Sequence, residues 1–161
     1  MSFSIQVTGM DELLQRMEQL PDAAVGVAAE ALYEGAGVMA DAVSQAVGNI
    51  ATEPFRYAFG GRQRKPSPEE KAILAGARHG VAKFRKDGIS VQTSVGMQNS
   101  GYAELNGKTK PIPLIANSIN SGTSFMKKQP FFRKAVTKAK GAATEAIENG
   151  IRSREEKLNI D

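Results

Sequence analysis

Polar and apolar residues alternate at the start of the chain, where single polar residues separate Phe3, Ile5 and Val7. A period of two is typical of a strand with one buried face, so the pattern predicts a short strand over residues 3–7. From Asp11 onward, apolar residues recur every three or four positions as far as Leu20. This spacing predicts a helix of about three turns over residues 11–20, which Pro21 ends.

A longer helical pattern follows over residues 22–47. Its apolar stripe consists mainly of small residues, and acidic residues lie outside it. Gly26, Gly35 and Gly37 each cost about 1 kcal/mol relative to Ala inside a helix. The close approach of another backbone would explain them, whereas a loosely packed core helix is the alternative interpretation.

Two shorter patterns predict a capped helix and a hairpin. Ser67 and Glu70 have the spacing of a capping box, and Pro68 occupies the first helical position. We therefore expect a helix from there to about residue 78. Two runs over residues 81–95, joined by Asp87-Gly88, are typical of a β-hairpin.

The remaining segments predict irregular structure around one last helix. Residues 48–66 show no periodicity and contain Gly60 and Gly61 beside several basic residues, so we expect a mobile basic loop that could be deleted from position 55 to 66 without loss of the fold. Residues 107–130, rich in Pro, Ser and Gly, are expected to form a second loop. Helical spacing returns over residues 131–151, and the charged tail 152–161 is expected to fray. The sequence predicts a single α+β domain over residues 1–161, in which two long helices pack on a small antiparallel β-sheet with long irregular loops.

Charge is unevenly distributed along the 161 residues. The chain has 21 Lys and Arg against 17 Asp and Glu, but residues 1–50 contain one basic and seven acidic residues. The first 50 residues therefore have a net charge of −6 and the remainder +10. Such asymmetry favours a subunit that binds copies of itself over a nucleic-acid binder, whose basic excess is usually larger and interleaved with aromatic residues.

The residue types needed for catalysis are scarce. The chain has no Cys, which excludes thiol nucleophiles and disulfides, and His79 is its only imidazole. The segment from Gly101 to Thr109 resembles a phosphate-binding loop but has one residue too many between its glycines, and Pro111 interrupts the helix that such a loop requires. We predict no catalytic residues, no cofactor and no metal site. The apolar runs are too short for a bilayer span, so no membrane association is expected.

Basic residues cluster in two segments, 56–65 and 127–140, which a nucleic-acid-binding protein would use to contact phosphates. The alternative is a solvated basic face that touches an acidic neighbour. Phe131 and Phe132 begin an apolar helical stripe and are therefore expected in the core rather than stacked on bases.

Three segments, taken in order, resemble the tail-completion family of long-tailed bacteriophages. The family opens with "G-x-D-E-L" and a helix ending in "L-P", continues with a "Y-A-x-x-x-E-x-G-T" segment, and begins its last helix with "P-F-x-x-P-A". The matching residues here are Gly9, Asp11, Glu12, Leu13, Leu20 and Pro21; then Tyr102, Ala103, Gly107 and Thr109; and finally Pro130, Phe131 and Ala135. The family's "P-x-x-T-G-x-L" segment is replaced by residues 52–74, which carry the basic loop.

The resemblance implies a non-catalytic virion protein that forms a ring, of six copies in the family, in the tail or neck where head and tail join. Its implied partners are further copies of itself, the tail tube, the tail terminator and head-connector proteins, with non-specific contact to DNA that passes through the lumen. The protein would reside in the host cytoplasm before assembly. The residues expected at partner contacts lie in the two loops: Phe55, Arg56, Tyr57, Phe59, Arg62, Arg64, Lys65, Lys108, Lys110, Lys127 and Lys128. The alternative function is a small nucleic-acid-binding protein that uses the two basic segments.

Overall fold

The computed structural model describes residues 2–7, 21–54, 60–77, 80–81, 85–87, 90–97 and 100–158. This part of the chain contains four helices and six strands, and the fold is α+β as the sequence predicts. The helices are α1 (Pro21–Gly48), α2 (Pro68–Gly76), α3 (Ile112–Ser121) and α4 (Phe131–Leu158). The strands are β1 (Ser2–Val7), β2 (Gly80–Val81), β3 (Arg85–Asp87), β4 (Ser90–Gly96), β5 (Tyr102–Leu105) and β6 (Lys108–Pro111). The predicted helix over 11–20 and His79 lie outside the described residues.

One sheet contains the predicted hairpin. Strand β4 lies between β1 and β2, and β3 also pairs with β4. The β3–β4 pairing is antiparallel, which confirms the predicted hairpin. Its register differs from the prediction, because Asp87 belongs to β3 and pairs with Ser90 instead of lying in the turn. The strand at the start of the chain is confirmed as β1.

A second hairpin, β5–β6, occupies the segment that resembled a phosphate-binding loop. Leu105 pairs with Lys108 across a two-residue turn. Asn106 and Gly107 both have positive φ, at 55° and 71°, as tight primed turns require, and Asn-Gly is the pair best suited to them.

The prediction of an irregular loop over 107–130 is wrong for its first half, where β6 is followed by α3. The buried residues of α3 follow helical spacing: Ile112, Ile115, Ala116 and Ile119. Pro113 lies in the first helical turn, where a missing N–H costs no hydrogen bond. The Ser118 hydroxyl donates a hydrogen bond to the carbonyl oxygen of Leu114, at 2.9 Å. A composition rich in Pro and Ser thus concealed an amphipathic helix.

The expectation of a frayed tail is also wrong for residues 152–158, because α4 continues to Leu158. Arg154 holds this end in place. Its guanidinium donates to Glu30 at 2.8 Å and to Glu34 at 2.7 Å, both on α1. The hydrogen bond from Arg154 lowers the pKa of Glu34 below its ordinary value.

The chain forms two compact units. Unit 1 comprises Met1–Ser2, Asp41–Gly80 and Gly96–Lys138, and unit 2 comprises Phe3–Ala40, Val81–Val95 and Ala139–Asp161. The core of unit 1 includes Val43, Val47, Leu74, Met97, Ile115, Ile119, Met126, Phe131 and Phe132. The core of unit 2 includes Ala28, Ala31, Leu32, Ala36, Met39, Val95 and Ala143.

Within unit 2, α1 and α4 approach closely at Gly35. A Cβ atom there would lie 2.7 Å from Ile147 Cδ1 and 2.9 Å from the carbonyl oxygen of Ala143. The expected close backbone approach is therefore confirmed at Gly35. It is wrong at Gly26 and Gly37, where a Cβ atom would meet nothing within 4 Å.

Replacing Gly35 and Gly37 by Ala should therefore change stability in opposite directions. Gly35→Ala pushes a methyl group against a backbone oxygen that cannot rotate away, and overpacking of this kind costs about 1 to 3 kcal/mol. Gly37→Ala gains about 0.5 to 1 kcal/mol because Ala restricts the unfolded chain more than Gly does. Urea unfolding of both variants measures the difference, and equal effects would contradict the close packing at Gly35.

Candidate interaction surface

A parallel β-bridge between Arg64 and Met126 brings the two basic segments together in unit 1. The N–H of Arg64 donates to Phe125 O at 2.9 Å, and the N–H of Lys127 donates to Arg64 O at 2.8 Å. The side chain of Gln63 adds a hydrogen bond to Thr123 O at 2.7 Å. Residues separated by about sixty positions in the sequence are therefore neighbours.

Side chains in an extended pair alternate between two faces. Arg64 and Met126 point inward and are 8% and 2% exposed. Gln63, Phe125 and Lys127 point outward and are exposed. Phe125 is 52% exposed, a high value for a phenylalanine. Arg62 and Lys128 are also exposed, and Lys65 is half-buried. We name the group of Arg62, Lys65, Phe125, Lys127 and Lys128 the bridge patch.

Local hydrogen bonds fix the segment that carries Phe125. Thr123 and Met126 form a tight turn, in which Thr123 N donates to Met126 O and the Thr123 hydroxyl accepts from Met126 N, both at 3.0 Å. The side-chain amide of Gln129 forms two hydrogen bonds with the backbone of Ala51. Its oxygen accepts from the Ala51 N–H at 2.9 Å, and its nitrogen donates to the Ala51 carbonyl at 2.8 Å. The backbone under Phe125 and Lys127 is thus specifically positioned although it belongs to neither a helix nor a named strand.

Arg64 forms a buried ion pair beneath the patch. Its guanidinium donates two parallel hydrogen bonds to Glu70, at 2.7 and 2.8 Å. Glu70 also accepts from the N–H of Ser67 at 2.8 Å while its own N–H donates to the Ser67 hydroxyl. The predicted capping box of α2 is therefore confirmed, and the same carboxylate neutralises Arg64.

This arrangement shifts the pKa values of both partners. The hydrogen bonds to Glu70 raise the pKa of Arg64 above its ordinary value. For Glu70, burial is the largest influence and raises the pKa. The hydrogen bonds from Arg64 and Ser67, together with the Arg64 charge, outweigh it, so the pKa of Glu70 lies below its ordinary value.

The free energy of unfolding should therefore depend on the charge of Glu70. A lowered pKa means that ionised Glu70 stabilises the fold above the unfolded-state pKa of about 4.3, and this contribution is lost as the pH falls through the folded-state pKa. Urea unfolding at pH 7 should give a higher free energy of unfolding for wild type than for Glu70→Gln. This difference in free energy should decrease as the pH is lowered toward 3. A difference that stays constant would contradict the assignment.

Because Arg64 is buried, part of the first basic segment belongs to the folded interior. The deletion of residues 55–66 that the sequence predicts to be tolerated would remove Arg64 and Pro66, which are buried, and the 3.0 Å hydrogen bond from Glu53 N to Pro66 O. Lys65 N adds a bond to the Glu53 side chain at 2.8 Å. Arg64 therefore has a structural position rather than an exposed one.

The other predicted contact residues are distributed over several places. Arg62, Lys65, Lys127 and Lys128 meet in the bridge patch. Lys108 and Lys110 lie on the β5–β6 hairpin, which packs against α2 and α3. Phe55, Arg56, Tyr57 and Phe59 lie outside the described residues. The sequence analysis did not identify Phe125 as a contact residue. The local pattern that indicates it is an aromatic residue close before the Lys127-Lys128 pair.

The positive charges of the bridge patch are not neutralised locally. Within the described part of the chain, Arg62, Lys65, Lys127 and Lys128 have no ion-pair partner. No Asp or Glu occurs between Glu104 and Glu145, a stretch that contains eight Lys and Arg residues. The segment that carries Phe125, Lys127 and Lys128 is therefore strongly basic.

Charge is also divided between the two compact units. Unit 1 contains 13 Lys and Arg against 5 Asp and Glu, a net charge of +8. Unit 2 contains 8 Lys and Arg against 12 Asp and Glu, a net charge of −4. The chain thus presents two oppositely charged compact units.

The described residues contain no group of three or more acidic or imidazole side chains arranged to hold a metal ion. No helix among them is long and apolar enough to cross a membrane. Comparison of the chain with protein-family models, with curated proteins and with solved structures finds no match in any of the three.

Proposed function

We propose that this protein is a non-catalytic structural subunit that forms a ring in the neck or tail of a phage particle and joins head to tail. The observation that carries the proposal is the division of charge, +8 in unit 1 and −4 in unit 2. Two different and complementary surfaces on one chain suit a head-to-tail contact, in which repeated rotation closes a ring.

The order of sequence motifs adds independent support. The "P-F" segment that begins the last helix of the tail-completion family corresponds to Pro130 and Phe131, and α4 begins at Phe131. The "Y-A" segment corresponds to Tyr102 and Ala103 on β5. The family resemblance adds six copies per ring, and the tail tube, tail terminator and head connector as partners.

Infection with a phage that lacks this gene tests the proposal. We expect separate heads and tails to accumulate, and purified protein added to such a lysate should restore joined, infectious particles. Release of normally tailed, infectious virus without the gene would refute the proposed function.

A second candidate function is nucleic-acid binding, which the bridge patch favours. Lys127 and Lys128 follow the exposed Phe125, and neither forms an ion pair among the described residues. Basic residues can contact phosphates, and an aromatic residue beside them can stack on a base. Retention of DNA that falls steeply between about 50 and 200 mM salt would support this function, and absence of retention at 50 mM salt would exclude it.

A further inference from the structure

We infer that the bridge patch binds the outer face of α4 on a second copy of this chain, around Glu145 and Glu148. The inference names the contact that the proposed ring requires and therefore rests on that proposed function. The two surfaces are different parts of the chain, so the contact is head-to-tail and propagates from copy to copy.

The bridge patch supplies one half of the contact. Phe125 offers a half-exposed aromatic ring, and Lys127 and Lys128 follow it within the same fixed turn region. Aromatic residues are enriched in the cores of interfaces, and polar residues form the rim around them. The charges have no partner within the described chain, so a neighbouring surface can use them without first breaking an ion pair.

The outer face of α4 in unit 2 supplies the other half. Glu145 and Glu148 lie one turn apart and are both exposed. Neither has an ion-pair partner among the described residues. Gly141 and Ala142 precede Glu145 by about one turn and are also exposed, so small residues lie beside the carboxylates on this helix. This surface fits an aromatic ring flanked by ammonium groups.

Other acidic residues of unit 2 fit less well. Glu30 and Glu34 already bind Arg154 at 2.8 and 2.7 Å, so their charges are neutralised within the chain. A second copy is also favoured over nucleic acid as the occupant, because unit 2 of the chain itself has a net charge of −4 and so opposes the charge of unit 1. Opposite potentials of this kind steer association and fix its register.

Paired charge reversals test this contact. The patch variant carries Lys127→Glu and Lys128→Glu, and the face variant carries Glu145→Lys and Glu148→Lys. Each alone should weaken self-association of the full-length protein by about 100-fold or more, because like charges then oppose each other. Sedimentation velocity at 50 mM salt measures the association, and thermal unfolding by circular dichroism verifies that each variant is folded.

Mixing the two variants should restore assembly, since each reversed surface then meets a complementary surface on the other variant. The chain that carries all four reversals should also assemble. A control with Arg133→Glu and Lys134→Glu makes the same change of net charge at exposed positions of α4 in unit 1 and should assemble like wild type. Restored assembly together with an unaffected control would establish the contact.

Three outcomes would overturn the inference: a wild-type chain that stays monomeric, variants that assemble like wild type, or variants that mixing does not rescue. DNA retention that the patch variant loses while its self-association persists would assign the patch to nucleic acid instead. Failure here is distinguishable from failure of the proposed function. If the variants still join heads to tails but the charge reversals do not affect self-association, the contact is refuted and the proposed function stands.

Discussion

Replacing Arg64 by Met lowers the free energy of unfolding by about 3 to 5 kcal/mol, which we expect to be one of the two largest effects of a single substitution in unit 1. The reason is the charge that remains. Glu70 is only 4% exposed and accepts two hydrogen bonds from Arg64. Without the guanidinium its carboxylate stays buried and unpaired, which is far more costly than the loss of an exposed ion pair. Urea unfolding at pH 7 measures the change.

Arg62→Met is the matched control because Arg62 is exposed two positions away and has no ion-pair partner in the described chain. Its effect should stay within about 0.5 kcal/mol. Arg64→Met combined with Glu70→Met removes both charges and should recover part of the loss, reduced by the missing capping bonds at Ser67. Equal effects of Arg64→Met and Arg62→Met would show that the buried pair contributes no more than an exposed charge.

Local features of the fold were predictable because their causes lie within a few residues. The Ser67 to Glu70 spacing indicated α2, and both hydrogen bonds of the capping box are present. The Asn106-Gly107 pair was an equally local signal for the β5–β6 turn. It was missed because the segment was interpreted as a near match to a phosphate-binding loop. Helix α3 was missed because prolines and serines were given more weight than the helical spacing of Ile112, Ile115 and Ile119.

The candidate surface could not be predicted in full, because its cause is a long-range pairing. Arg64 belongs to a basic run and was expected to be exposed with its neighbours. Only the bridge to Met126 and the approach of Glu70 place it inside. The same bridge joins Arg62 and Lys65 to Lys127 and Lys128, which the sequence presents as two separate segments. Periodicity and composition carry no information about such a pairing.

The division of charge between units follows from the same folding pattern. The sequence places seven acidic residues among its first 50, but the acidic part of α4 lies near the other end of the chain. Unit 2 combines 3–40, 81–95 and 139–161 and so collects acidic residues from both ends. Unit 1 contains 13 of the 16 Lys and Arg residues between positions 41 and 138. The opposite charges therefore belong to the two compact units and not to two halves of the sequence. The proposed head-to-tail contact depends on this opposition of charge.

Phe132→Ala should lower the free energy of unfolding by about 3 to 5 kcal/mol, because removal of a buried phenyl group loses its transfer free energy and leaves a cavity. Phe132 is 6% exposed in the first turn of α4, and its N–H donates to Asn120 Oδ1 at 3.2 Å. Phe125→Ala is the matched control: the same atoms are removed from a side chain that is 52% exposed, so the cost should stay below about 1 kcal/mol. Urea unfolding of both variants at pH 7 separates the two roles. Comparable losses would mean that Phe125 is a core residue and is not available to a partner, whereas a small loss at Phe125 with weakened self-association would place it at the contact between copies.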